Sequence, residues 1–256
     1  MFGSTLKTRR REQGTGEIAG RVALVTGEAR NIGLAVAKEL GAQGASMAIA
    51  DICHDLETIP YALSTPEALD RAVLEFSDTG IRVVGLQCDV RVETEVQHLV
   101  NRVIEAFGRI DVLVNNAGVS SLYPIQDISM ASWDEVVDSC LKGTFLCCRH
   151  VVPHMIKQQG GSIVNIASVA GIRGLGYSAH YCAAKHGIVG MTRALAMELA
   201  DHRIRVNAVC PGTVESPILA GLAAQAGVHG DAYAHFSKGH LFQDRRIAAE
   251  DVARAV

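Results

Sequence analysis

The chain has 256 residues and a formal net charge of −3. With 48% hydrophobic and 20% charged residues it is too apolar for a disordered chain, and no uninterrupted apolar run reaches the ~18 residues of a membrane-spanning helix. Its near-neutral charge excludes the concentrated basic face that meets nucleic acid, and its length suffices for one large domain without a disulfide or metal staple.

In chain order, residues 1–19 read as a flexible basic tail, carrying the run Lys7 to Arg11. The polar stretch Glu12 to Gly16 that follows is unlike the apolar core of a secretory signal; an organelle transit peptide is the alternative reading. From residue 20 onward short apolar runs alternate with amphipathic stretches. Val22–Thr26, Ser46–Ala50, Arg82–Cys88, Asp111–Asn115, Ser162–Ala167 and Arg205–Val209 are rich in Val and Ile and apolar on both faces, as strands of a covered parallel sheet are. Helices are expected over Ile32–Gln43, Pro66–Thr79, Glu93–Phe107, Ala131–Lys157 and Ala179–Ala200. Strand–helix alternation implies right-handed crossovers and a Rossmann-type doubly wound α/β sheet with helices on both faces, in one domain spanning 20–256. Two stretches break the alternation: residues 52–65 after the second strand, and the Gly/Ala-rich 213–247 after the sixth. Long connections of this kind are often lids or specificity elements.

Seven cysteines (53, 88, 140, 147, 148, 182 and 210) make an odd set without a CxxC pair. They read as free thiols of a reducing compartment, with cytoplasm the expected location and no metal site. Cys147 and Cys148 are assigned to packing.

The first strand runs into T26-G-E-A-R-N-I-G33, a glycine turn opening a helix. Backbone N–H groups and the helix dipole at such a turn meet a pyrophosphate. About 20 residues on, at the end of the second strand, stands Asp51, placed to hold ribose hydroxyls. Asp51 repels a 2′-phosphate and so favours NAD over NADP. Arg30, in the turn itself, argues the other way and is outweighed.

Four more motifs follow in order: N115-N-A-G118 after the fourth strand, Ser168 at the end of the fifth, Tyr181-C-A-A-Lys185 on a helix, and P211-G-T-V-E-S216 after the sixth. With the glycine turn and D89-V90, this ordered set resembles the short-chain dehydrogenase/reductase family over residues 20–256. The resemblance implies hydride transfer between a secondary alcohol and a ketone on NAD(H). A phenol near pKa ~10 is a poor base at neutral pH, and an ammonium one helical turn away lowers that value. Tyr181 is thus the implied general acid/base, Lys185 its electrostatic partner and Ser168 the holder of the substrate oxygen. Implied cofactor contacts are Gly27, Arg30, Asn31, Ile32, Gly33, Asp51, Asp89, Val90, Asn116, Ala117, Gly118, Tyr181, Lys185, Pro211, Gly212, Val214 and Ser216. Ser216 replaces the family's usual Thr and keeps the hydroxyl. Tyr177, lacking a lysine four residues on, is a substrate-pocket candidate only, and His180 and His186 are expected to cover a helix face.

Three departures stand out. Asn31 occupies a turn position where the family has Gly, and Asn is the next residue to accept left-handed backbone. Cys140 stands where the family's Asn holds a water of the proton relay. The chain stops inside the last helix, short of the family's seventh strand, leaving a sheet edge open; either the chain is a fragment or assembly is compromised. If complete, a homo-oligomer, dimer or tetramer, is expected. The insert D51-I-C-H-D-L-E-T-I-P-Y-A-L-S-T is similar to that of the carveol-dehydrogenase-like, mycofactocin-associated branch, which implies an apolar secondary alcohol and tightly held NAD. A nucleotide-binding regulator of low activity is the alternative, and a structural subunit of a hetero-oligomer is a third with no feature in its favour.

Overall fold

A computed structural model describes residues 18–27, 31–238 and 246–256. Six strands form one parallel sheet: β1 (Val22–Thr26), β2 (Ser46–Asp51), β3 (Val83–Gln87), β4 (Val112–Asn115), β5 (Gly161–Ile166) and β6 (Ile204–Val209), in the order β3-β2-β1-β4-β5-β6. Every residue of β1 is buried, which is why the strand reads as a continuous apolar run instead of an alternation.

Helices cover both faces. Helices α1 (Asn31–Ala42) and α2 (Pro66–Asp78) pack Val36 and Phe76 against Val25, Met47, Ile49 and Val114. On the other face α3 (Glu93–Phe107), and further along the chain a helix bearing Val151 and Met155, enclose Leu24, Leu113 and Ile163. α3 shows its design in sequence: Val96, Leu99, Val100 and Val103 recur at helical spacing and are all buried, and Gly108 ends the helix in left-handed conformation at φ 79°. Asp111 ties the start of β4 to β1, bridging Arg21 and Arg109 at 2.9 and 2.5 Å and accepting the Val22 N–H at 2.9 Å.

The long helix expected over 131–157 is interrupted. α4 (Met130–Val137) passes through one wide turn, Asp138–Lys142, into α5 (Gly143–Gln158), and the Gly143 N–H bonds back five residues to Asp138. Such a π-turn adds one residue, yet the buried Val136, Cys140, Thr144, Cys147 and Val151 still recur three or four residues apart, so periodicity alone reads one continuous helix. Cys140 sits in its middle. The remaining helices are α6 (Ala179–Glu198), α7 (Pro217–Gln225), α8 (Ala232–Phe236) and α9 (Ala249–Ala253), the last packed on α1. Among the described residues no helix is long and apolar enough to cross a membrane, and no group of three His, Cys, Asp or Glu is placed to hold a metal ion.

The strand order reverses between β1 and β4, and crevices at such switch points, beyond the carboxyl ends of the strands, are where doubly wound sheets take their ligands.

Candidate active site

At that switch point Gly27 leaves β1 at φ 65°, and a Cβ there would stand 2.6 Å from the Ala117 Cα. Only glycine allows this approach of the turn to the Asn115–Gly118 corner. Asn116 locks the two together, its amide donating to the Thr26 and Gly27 carbonyls at 3.1 and 2.7 Å. Asn115 donates to Asn165 at 2.8 Å, and Asn165 to Thr192 on α6 at 2.9 Å, so a buried amide chain fixes β4, β5 and the helix carrying the tyrosine.

Asn31 takes the left-handed conformation expected of it, φ 53°, and donates its side-chain amide to the Glu215 carbonyl at 3.0 Å. Gly33 is buried in α1 instead of lining the cleft, consistent with close helix–strand packing as its role. Arg30 lies outside the described residues.

The cleft has two joined chambers sharing Ile32, Asn116, Gly118, Ser216 and Ile218. The first holds Asp51 at the end of β2 together with Gly27, Asn31, Asp89, Val90 and Ala117. Asp89 is buried, which would raise its pKa, but Arg91 at 2.6 Å hydrogen-bonds it and draws the carboxyl below its ordinary value. Its side chain is therefore committed to Arg91.

The insert forms a wall of this chamber through Leu56, Tyr61 and Leu63. Leu56 and Ile59 are buried against Val119 and Val136. Glu135 on α4 clamps the insert, accepting the N–H groups of Glu57 and Thr58 at 3.0 and 2.9 Å and the Thr58 hydroxyl at 2.5 Å. Tyr61 accepts the Ser120 N–H at 2.9 Å, and its ring lies so close to α7 that a Cβ on Gly221 would meet it at 2.4 Å. Insert and α7 therefore touch across the cleft.

The second chamber, about 390 Å³, contains Ser168, Tyr181 and Lys185, with Pro211, Gly212 and Val214 on its far side. Ser168 stands two residues beyond β5, and its hydroxyl accepts the Ala170 N–H at 3.1 Å. Lys185, 4% exposed, donates to the Ile166 carbonyl at 2.8 Å and lies 5.5 Å from the centre of the Tyr181 ring. Burial pushes the Tyr181 phenol well above its ordinary value, with the Cys140 sulfur adding to the rise and a hydrogen bond with Ser168 opposing it. Burial draws Lys185 down, and the sulfurs of Cys140 and Cys210 oppose that. Cys140 is fully buried and donates its thiol to the Val119 carbonyl at 3.4 Å. Ser216 caps α7, accepting the Leu219 N–H at 3.1 Å.

His180, expected to cover a helix face, is instead part of the interior. His180 is wholly buried; its Nδ1 accepts the Tyr181 N–H at 3.0 Å and its Nε2 lies 2.9 Å from the Ser121 hydroxyl. Nδ1 thus takes the place of a side-chain cap on the first turn of α6, where Ser178 makes none. Tyr177, by contrast, is 68% exposed with φ 63°. Glu135 as the insert's anchor and Tyr61 as its contact with α7 carry no signal in the sequence. Their partners lie 59 to 78 residues away along the chain or on the far wall, beyond any local signal.

Fold and site together define a Rossmann-type oxidoreductase domain. The chain belongs to the short-chain dehydrogenase/reductase family: the model for short chain dehydrogenase matches residues 21–227. It is 37% identical over 204 residues to (-)-trans-carveol dehydrogenase of Rhodococcus erythropolis, covering 79% of this chain and 74% of that one. It is 43% identical over 201 residues to a (2S)-[(R)-hydroxy(phenyl)methyl]succinyl-CoA dehydrogenase subunit of Thauera aromatica, covering 78% and 76%. The solved structure of carveol dehydrogenase from Mycobacterium avium in complex with NAD superposes with a TM-score of 0.89 at 34% identity, over 94% of this chain and 91% of that one.

Proposed function

We propose that this chain interconverts a secondary alcohol and a ketone with NAD(H), Tyr181 acting as general acid/base. The observation that carries the reading is the convergence of Ser168, Tyr181 and Lys185 in a chamber that opens into a cleft with Asp51 at its other end. The cleft suits a dinucleotide: Gly27 leaves room where a Cβ would strike backbone, and Asn116 holds that backbone in place. Asp51 would hold the adenosine ribose and disfavour a 2′-phosphate; Ile32, Asn116 and Gly118 would flank the middle, and Pro211–Val214 the carboxamide end. When bound, NAD(H) supplies the hydride acceptor or donor.

The chain's own residues handle the proton. Ser168 donates a hydrogen bond to the substrate oxygen as charge grows on it. Tyr181 gives up its proton to that oxygen in reduction and takes one in oxidation. The Lys185 ammonium, held by Ile166, stabilises the phenolate and offsets the upward push of burial. Exposed Phe145 on α5 and Met197 on α6 are in keeping with assembly into a homo-oligomer.

The similarity to carveol dehydrogenase supports an apolar alicyclic substrate body, and Leu122, Leu175, Leu219 and Leu222 line the second chamber accordingly. One observation favours the nucleotide-binding regulator instead: Cys140 spends its thiol on Val119 and offers no amide to a relay water. The test is a titration of NADH and NADPH by fluorescence, followed by a panel of cyclic ketones with absorbance at the nicotinamide band. Tighter NADH binding with turnover of a cyclic ketone supports the reading. Tighter NADPH binding overturns the cofactor assignment, and NADH binding without any turnover favours the regulator.

A further inference from the structure

The second chamber carries a charge pattern that an apolar alcohol does not need. Its lining includes two basic side chains, Lys185 and Arg173, of which only the guanidinium is charged at every working pH, and no aspartate or glutamate among the described residues. Lys185 is buried and bonded to Ile166. The Arg173 side chain, by contrast, makes no ion pair or hydrogen bond among the described residues.

Arg173 also stands on a held loop. Its N–H and that of Ile172 both bond to the Val169 carbonyl, at 2.9 and 3.1 Å. Two residues on, Cys182 of α6 engages Leu175 in both directions, accepting its N–H at 3.3 Å and donating to its carbonyl at 3.8 Å. The Tyr177 carbonyl accepts the Tyr123 N–H at 2.9 Å. Arg173, solvent-exposed, thus lines the chamber from a loop tied by these bonds, five residues after Ser168, in the chamber that Asp51 does not line. Leu122, Leu175, Leu219 and Leu222 line the same chamber. A planar fork without a partner on the lining of a leucine-rich chamber fits a carboxylate better than any neutral group, because it can donate two parallel hydrogen bonds.

We propose that Arg173 is a specificity-determining residue and that the substrate is an acid: a secondary alcohol or ketone on an apolar body that also bears a carboxylate. The proposal rests on the reading of the chamber as the site of alcohol–ketone interconversion, and it replaces a neutral terpenoid alcohol with a hydroxy or oxo acid as the substrate class. His235, which also lines the chamber, lies on α8 and is a second group able to face the acid.

The test compares 4-oxocyclohexanecarboxylate with its methyl ester as substrates for the full chain with NADH. The quantity read is the ratio of their kcat/KM values. We expect the acid to be preferred on the order of 10-fold, the size of one charge-assisted contact. Arg173→Gln should bring the ratio near one, and Arg173→Lys should retain part of it, since the charge survives without the fork. Damage to the fold lowers both rates and leaves the ratio where it was. A wild-type ratio near one, or a ratio unmoved by Arg173→Gln, overturns the proposal while the ester's turnover leaves the dehydrogenase reading intact. If neither compound is reduced, the dehydrogenase reading fails. Binding of the acid to the protein–NADH complex, followed by fluorescence, then decides the anion site: Arg173-dependent binding supports it and Arg173-independent binding overturns it.

Discussion

Replacing Glu135 by alanine removes the anchor of the insert without touching its apolar contacts. The carboxylate accepts three hydrogen bonds from Glu57 and Thr58. Each such bond to a partly exposed group is worth about 0.5–1.5 kcal/mol net, and three sharing one side chain do not add fully, so the insert loses roughly 2 kcal/mol of local holding. That corresponds to roughly a 30-fold rise in the open population. The loss is local, because Leu56 and Ile59 remain packed on Val119 and Val136. Amide exchange across residues 55–63, read by mass spectrometry, should accelerate by about that factor, while the urea midpoint of the whole chain changes little. Because Leu56, Tyr61 and Leu63 wall the nucleotide chamber, NADH release should also quicken, roughly 3–10-fold. Glu135→Gln keeps one acceptor oxygen and should fall between. Exchange within about two-fold of wild type in Glu135→Ala would refute the claim that this carboxylate holds the insert.

Other expectations follow from single sites. Gly27→Ala forces a left-handed alanine, about 1 kcal/mol, into a gap closed at 2.6 Å by backbone; with about 1–3 kcal/mol of overpacking the urea stability should fall by roughly 2–4 kcal/mol, and an unchanged midpoint would contradict the close approach. Burial pushes the thiols of Cys88 and Cys148 up to about 12 and that of Cys53 to about 11, and Cys140 and Cys147 are also buried. Iodoacetamide at pH 8 should therefore label Cys182 and Cys210 in the native protein and all seven only after unfolding; early labelling of Cys88 would count against this. Burial draws the His180 pKa below its ordinary value of 6.5, so the folded state prefers the neutral ring. Its contribution to stability is complete above pH 6.5 and is lost as pH falls from there to the lower folded value. Stability of wild type relative to His180→Gln should decline from pH 7 to pH 5; parallel curves would rule the linkage out.

Much of the architecture is legible in the residues because each strand is buried on both faces. Val22–Thr26 and Glu93–Phe107 are read to the residue. Reading fails where a feature depends on what meets it in space. The π-turn at Asp138–Lys142 keeps the helical hydrophobic pattern and changes only one hydrogen-bond step. His180 beside Tyr181 looks like a surface residue until Ser121, 59 positions earlier, closes a buried pocket over it. The motif residues Ser168, Tyr181 and Lys185 are found from spacing, because a helical turn fixes the distance between the last two. That the Arg173 side chain has no partner among the described residues is visible only in the folded chain.

The central claim is that the Tyr181 phenol moves the proton. Single-turnover reduction of a cyclic ketone by the preformed protein–NADH complex tests it most directly, comparing wild type with Tyr181→Phe. The ring and its packing are kept, so NADH affinity should hold while the hydride step slows on the order of 10²–10⁴-fold. A phenylalanine variant that reduces the ketone at the wild-type rate, with NADH bound as tightly, would contradict the account.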